Sequence, residues 1–475
     1  MIRLYNTLTR KVEEFLPLHD FNIGMYTCGP TVYRDVHIGN FRSYLTADIL
    51  RRVLTYNGFN VRQIKNITDV GHMRTVGHGH HQEQIDPVIR EALKAEKTPQ
   101  QIAEYYTELF WQDEKKLNIL PPERYTKATE HIEEMIAMIK TLVSKGFAYE
   151  TGGTVYFDVK KFKNYGRLSG NTLDKMDKLL RAVRISVETD KKDSADFALW
   201  KKAEEGRAAS WNSPWGRGFP CLHIECSAMS MKYLGETLDI HTGGEDNVFP
   251  HHEDEIAQSE GVSGKQFVRY WVHTKFLLID GQKMARSKGN VYTISDLEER
   301  GFTALDFRFL TLMTHYRAKM NFTWEALSGA QTALNRLREE VEGWSEPKIG
   351  CAEFEQKFQE AINDDLNMPE ALAVMWKLVK SDYPTSAKAE SLFKFDQVLG
   401  LDLKRKLETT LRQSSGQGNK KLEVPVEVVR LVQEREELRR QKRFHLADQL
   451  RNKIKKMGYQ IEDDDENGKT RVDKI

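Results

Sequence analysis

The sequence predicts an α/β chain: a parallel-sheet domain split by an insertion, then a helical bundle, then a small separate C-terminal module. Three observations predict this. Short apolar runs closed by glycine or proline alternate with helical patterns up to about residue 70 and again from His223 to Ile279, the rhythm of strand–helix–strand units. Between them, residues 119–214 break that rhythm with short strand-like pieces such as Thr154–Val159. Beyond about residue 300 helical spacing dominates, and a Ser/Gly/Gln-rich linker, Ser414–Lys420, precedes a strongly charged tail.

At 475 residues the chain is too long for one hydrophobic core. Its formal net charge of +1 excludes a global field for polyanions, so nucleic-acid contacts have to come from local basic patches. Four cysteines are too few for a disulfide framework and point to a reducing cytoplasm. With no signal-peptide core and no membrane-length apolar run, no membrane association is expected.

The chain is organised around Gly24 to Asn40. Ile23 to Thr27 reads as a buried strand ended by Gly29-Pro30, and Leu45, Ile49 and Val53 then recur at helical spacing up to the stop at Gly58. Cys28 thus closes a strand, while His37-Ile38-Gly39-Asn40 opens a helix. In open parallel sheets this rim is where ligands bind, and a helix N-terminus there suits an anion. Phe59 to Ile67 is the second strand and delivers Thr68 and Asp69 to the same rim. The Gly- and His-rich run from Gly71 to His81 carries no thiol or carboxylate at ligand spacing and reads as a loop with solvated imidazoles.

Residues 85–145 are helical in pattern, broken at Pro121-Pro122, and Trp200, Trp211 and Trp215 read as packing residues. His223 to Met229 starts a helix, Leu238 to Asp246 is a strand with a glycine exit, and Pro250 suits the first turn of a further helix. On that helix His251 and Glu255, four apart, share a face. Trp271 to Ile279 is strand-like and leads into a loop carrying Lys283, Arg286 and Lys288 between Gly281 and Gly289. After Pro425 comes a basic helix to Lys456 with the apolar stripe Leu446, Leu450, Ile454 and Met457, then a hairpin about Asn467-Gly468.

Two thiols, an imidazole and a carboxylate, Cys28, Cys226, His251 and Glu255, are the right types to hold one zinc ion. They lie on separate elements, so spacing alone leaves Cys221 as a rival thiol and His241 and His252 as rival imidazoles. His37 to Asn40 offers donors to phosphate oxygens. A mobile cationic loop such as 283–288 can stabilise charge on a departing phosphate, although charge runs in loops are usually only solvated.

Taken together, these stretches resemble the cysteinyl members of the class I aminoacyl-tRNA synthetases. His37-Ile-Gly-Asn40 resembles the HIGH motif, and Lys283-Met-Ala-Arg286-Ser287 the KMSKS loop. The segments around Cys28, Cys226 and His251 resemble the three that carry the family's zinc ligands. Asn40 replaces the second histidine of HIGH, and its amide still donates. Arg286 stands where a lysine is usual and keeps the charge but not the shape. Leu222 stands where relatives often carry an aromatic residue.

The resemblance implies a Rossmann-like catalytic domain in two halves (1–118 and 215–273) around a connective insertion (119–214). A stem-contact region with the KMSKS-like loop (274–325), a helical bundle (326–402), a linker (403–424) and an anticodon-binding domain (425–475) would follow. It implies cysteine–tRNA ligation, with L-cysteine, ATP with Mg2+, and tRNA(Cys) as substrates, in a cytoplasmic monomer holding one Zn2+. His37, Asn40, Lys283 and Arg286 would be catalytic. Gly39 would face the adenine, Lys288 would assist at the phosphates, and Cys28, Thr68, His241 and Asp246 would line the amino-acid site, with Asp246 a candidate for the ammonium. A cysteine ligase acting on an amino sugar would share these sites but be shorter. A non-catalytic tRNA-binding paralogue would be expected to lose a zinc ligand or the cationic loop.

Overall fold

The computed structural model describes residues 1–70, 74–76, 83–171, 175, 190–285, 288–404, 428, 431–432, 434–435, 438–439, 444–457, 459–464 and 469–474. Arg286, most of the His-rich run, the Ser/Gly linker and the Asn467-Gly468 turn lie outside the described residues. The chain forms two units, Met1–Lys404 and Arg405–Ile475.

The first unit is built on strands β1 (Asn22–Thr27), β2 (Asn60–Ile67), β3 (Arg124–Lys127), β4 (Leu238–Gly244) and β5 (Val268–Thr274). They form one sheet in the order β5-β4-β1-β2-β3. Every neighbouring pair is parallel, with Thr27 opposite Thr242 on one side and Lys65 on the other. The order reverses between β1 and β4, which opens a crevice beyond their carboxyl ends. Helices α1 (Ile38–Tyr56), α2 (Leu222–Leu234) and α3 (Glu253–Ser263) frame that crevice. Helix α1 follows β1, α2 leads into β4, and α3 joins β4 to β5.

The sheet runs further along the chain than the expected first half, 1–118. Strand β3 falls inside the stretch assigned to the insertion. Its sequence, Arg-Tyr-Thr-Lys, has no apolar run because an edge strand pairs on one side only and buries a single residue here. The inserted segment is a five-stranded antiparallel sheet that begins at Ala148 and extends past 214, to Pro220. It does not stand apart: Phe157, Leu199 and Trp200 belong to the same buried cluster as Tyr26, Ile64, Met229, Ile256 and Trp271. Strands also persist beyond residue 300, since Met320–Phe322 pairs in parallel with Leu277–Ile279. Three residues are too few to carry a sequence signal.

Five helices follow, Ala304–Leu312, Trp324–Glu342, Ala352–Asn363, Met368–Val379 and Thr385–Leu399. Arg308 ties them to α1. Fully buried, it donates to the carbonyls of Leu399 (2.6 Å) and Leu117 (3.0 Å) and to Asp48 (2.7 Å).

In the second unit helix Phe444–Lys456 precedes an antiparallel pair, Tyr459–Asp464 with Lys469–Lys474. Val428, Leu431, Val432, Ile454, Tyr459 and Ile461 form its core. Met457, expected on the apolar stripe, is exposed, so the stripe ends at Ile454. Among the described residues no helix is long and apolar enough to cross a membrane.

Candidate active site

Cys28 follows the last residue of β1 and lies in a buried cradle at the carboxyl edge of the sheet. Its Sγ is 4.0 Å from Cys226 Sγ, 3.5 Å from His251 Nε2, 3.3 Å from His252 Nε2 and 3.8 Å from Glu255 Oε1. The ligand atoms of Cys28, His251, His252 and Glu255 all lie within 4.8 Å of one another. Cys226 comes from the first turns of α2. His251 and Glu255, expected on one helical face, are 3.0 Å apart between Nε2 and Oε1. Pro250 does not open that helix, however. Val248–His252 is an irregular turn with Phe249 extended, and α3 starts at Glu253 with His252 as its N-cap. Both His251 and His252 therefore reach Cys28, where a regular helix would direct adjacent residues about 100° apart.

The electrostatics of the cradle ask for a cation. Burial pushes the Cys28 thiol well up, and the nearby Cys226 and Glu255 push it further. Burial also works against the Glu255 carboxylate, but His241 and His251 outweigh it and hold the carboxyl at about 2. His252 is driven well below the usual imidazole range by burial and by the histidines around it, so its nitrogen lone pair stays available. Burial also acts to lower His251, but Cys226 and Glu255 outweigh it and push that ring the other way, well above the usual imidazole range. Two thiols, two imidazoles and a carboxylate in one small volume are the donor set of a borderline-soft divalent metal.

The other expected residues divide. His241 is fully buried beside Glu255, not on an open wall. Its Nε2 is 2.9 Å from Glu255 Oε2, and its ring stacks on Trp271 at 4.7 Å. His252 shares a 2.7 Å hydrogen bond through Nδ1 with His273, which in turn lies 2.8 Å from the Thr7 hydroxyl. Such partners fix ring orientation and tautomer in metal sites. Neither thiol of α2 is in the 4.8 Å group; Cys226 is the one that reaches Cys28, at 4.0 Å, whereas Cys221, the rival, is the N-cap residue of the helix. Thr68 is buried on the rim, donating to Glu225 at 3.1 Å. Asp246 is exposed, just past the glycine exit of β4.

A second locus lies at the N-terminus of α1. His37 is its N-cap and accepts from the Asn40 N–H at 3.2 Å. The Ile38 N–H donates to Tyr292 at 2.9 Å, and His37 bridges to Thr293, so the far end of the cationic loop is sewn to the helix start. Met284 covers Gly39: a Cβ there would come within 2.3 Å of Met284 Cε. Asn290 closes the loop by accepting from the Ala285 N–H at 2.8 Å. The Lys283 ammonium sits 4.5 Å from the Phe276 ring centre, and Lys288 donates to Gln282 at 3.0 Å. Residues about 245 positions apart in sequence thus meet on one rim. Sequence reasoning left three participants out of the site: His252 in the cradle, Glu225 under Thr68 and Met284 on Gly39. His252 had a signal as one of the rival imidazoles and Met284 as part of the KMSKS-like segment; Glu225 had none of its own.

A reversed parallel sheet, a helix-start HIG tripeptide met by a cationic loop, and an inserted domain define the class I aminoacyl-tRNA synthetase architecture. The model for the class I (C) tRNA synthetase catalytic domain matches residues 14–332, and a DALR domain model matches 357–381. Cysteine--tRNA ligase 1 of Burkholderia lata is 42% identical over 97% of this chain and 95% of its own. The cysteine--tRNA ligase of Treponema denticola is 38% identical over 100% of both. The chain belongs to the cysteine--tRNA ligase family. The fold also resembles a solved Mycobacterium tuberculosis methionyl-tRNA synthetase in complex with methionyl-adenylate, with a TM-score of 0.53 at 14% identity over 83% of this chain and 92% of that one.

Proposed function

We propose that this chain joins L-cysteine to ATP as cysteinyl-adenylate, releasing pyrophosphate, and then transfers the cysteinyl group to tRNA(Cys). The observation that carries this is the pairing, on one sheet rim, of a thiol- and imidazole-lined cradle with the Gly39–Met284 contact between helix start and cationic loop. One ligand spanning both loci presents its side chain to the first and its carboxylate to a nucleotide at the second.

The cysteine carboxylate attacks the α-phosphate in line, and catalysis is mainly positioning and charge stabilisation. His37 and Asn40 hold phosphates and, with the Met284 side chain moved aside, Gly39 lies against the adenine. Lys283, Arg286 and Lys288 stabilise the departing pyrophosphate, whose charge Mg2+ shares. Thr68, His241 and Asp246 serve the amino-acid site, His241 through Glu255. Cys28, Cys226, His251 and Glu255 would hold one zinc, with His252 as a competing ligand; in that place it would supply a preference for a soft thiolate over a hydroxyl. The inserted sheet, Ala148–Pro220, and the stem-contact region 274–325 serve the acceptor end of the RNA, and 425–475 reads the anticodon, in a cytoplasmic monomer. The test is ATP–pyrophosphate exchange: it should depend on cysteine and be followed by charging of tRNA(Cys). Exchange with no amino acid, or with serine equally, overturns the reading.

A further inference from the structure

His223 lies in the first turn of α2, one turn before Cys226. Its Nδ1 is 2.5 Å from Asp254 Oδ2. Asp254 sits in the first turn of α3, is 1% exposed, and takes the Tyr165 hydroxyl on its other oxygen. Tyr165 opens a short loop of the insertion that is bound to α3 at two further points. The Ser169 N–H donates to Glu253 at 2.8 Å, and Arg167 pairs with Glu260. The insertion therefore fixes the carboxylate that fixes His223.

The cradle has a closed side and an open one. The Glu255 and His252 side chains are 0% exposed, whereas His251 keeps 12% and His223 19%. The two exposed rings meet edge to face at 4.8 Å. These two rings are the solvent-reaching side of the cradle, so an amino acid with its sulfur in the cradle would bring its α-amino and carboxylate groups past them. With the His223 Nδ1–H donating to Asp254, Nε2 is left as an acceptor. An acceptor backed by a buried carboxylate suits a cation. It does not suit the substrate carboxylate, whose oxygen must stay a free nucleophile.

We propose that His223, oriented by Asp254 and Tyr165, accepts a hydrogen bond from the α-ammonium group of the amino-acid substrate. The site then selects α-amino thiols rather than thiols in general. This rests on the function proposed above. His223 is the contact residue; Asp254 and Tyr165 are positioning residues.

The experiment uses the zinc-loaded full chain in cysteine-dependent ATP–pyrophosphate exchange, with 3-mercaptopropionate, which is cysteine without its amino group, as a competitive inhibitor. His223→Leu should raise KM for cysteine roughly 10- to 100-fold, the scale of one charge-assisted hydrogen bond. The inhibition constant for 3-mercaptopropionate and the zinc content should stay within about twofold, because neither involves the lost contact. His223→Gln, which restores an acceptor, should recover much of the loss. Tyr165→Phe removes one hydroxyl only and carries the same test if His223→Leu does not fold: KM for cysteine rises several-fold with kcat and the inhibition constant unchanged. A parallel rise of both constants, or loss of zinc, would mean His223 merely supports the cradle and overturns the proposal. No change in either also overturns it. Absence of cysteine-dependent exchange in the wild type would instead overturn the function reading.

Discussion

Replacing Gly39 by alanine separates stability from function at the helix start. The added Cβ would lie 2.3 Å from Met284 Cε and 3.1 Å from His37 Nδ1. Gly39 is the second residue of α1 and its φ is not in the left-handed region, so alanine fits the backbone and gains up to about 1 kcal/mol of helix propensity. The clash is with the end of a flexible methionine, which moves at low cost. The net change in unfolding free energy should therefore stay within about 1 kcal/mol, which for a unit this large is a shift of about 1–2 °C in Tm. A nucleotide base lying against Gly39 has no such freedom. Moving a reacting group by about 1 Å costs on the order of 100-fold, so kcat/KM for ATP in the exchange assay should fall about 10- to 100-fold. An unchanged value would refute the placement of the base on Gly39. A fall in Tm of more than about 5 °C would show that the clash strains the backbone.

The remaining predictions concern the cradle, the core and the tail. Cys226→Ser should lose stoichiometric zinc while Cys221→Ser keeps it, as metal analysis of the purified variants will show. With cobalt in place of zinc, added cysteine should strengthen a thiolate-to-metal charge-transfer band and serine should not; an unchanged spectrum during adenylation would make the metal structural. Arg308→Met leaves buried Asp48 with Arg52 as its one guanidinium partner and takes the donor from the Leu399 and Leu117 carbonyls, and should cost about 3–5 kcal/mol in denaturant unfolding at pH 7. Although burial raises the Asp48 carboxyl, Arg308 and Arg52 outweigh it and hold it below the usual range. That stabilisation is complete above the unfolded carboxylate value of about 4 and fades as pH falls through the folded one, so the gap between wild type and Arg308→Met should narrow in acid. Deleting residues 425–475 should leave cysteine activation nearly intact, weaken tRNA charging and reduce its steep salt dependence; wild-type charging by the truncated chain would refute the anticodon role.

The sequence by itself determined the alternation of strand and helix, the helix start at His37, the position of Cys28 at a strand end and the helical region after residue 300. Each rests on local physics: an apolar run, a glycine stop, a period near 3.6. It also displayed the residue types of a metal cradle. It could not decide which imidazoles meet which thiols, because Cys28 and Cys226 are 198 positions apart and Cys28 and Glu255 are 227 apart. Only the parallel register of β1 and β4 and the irregular turn before α3 bring His251 and His252 together at Cys28 and leave His241 beside Glu255. Edge strand β3, polar and half-exposed, was invisible for the same kind of reason: its partner, not its own sequence, makes it a strand. The meeting of Gly39 with Met284 depends on two connections that cross the whole sheet, and no local pattern encodes the distance between their ends.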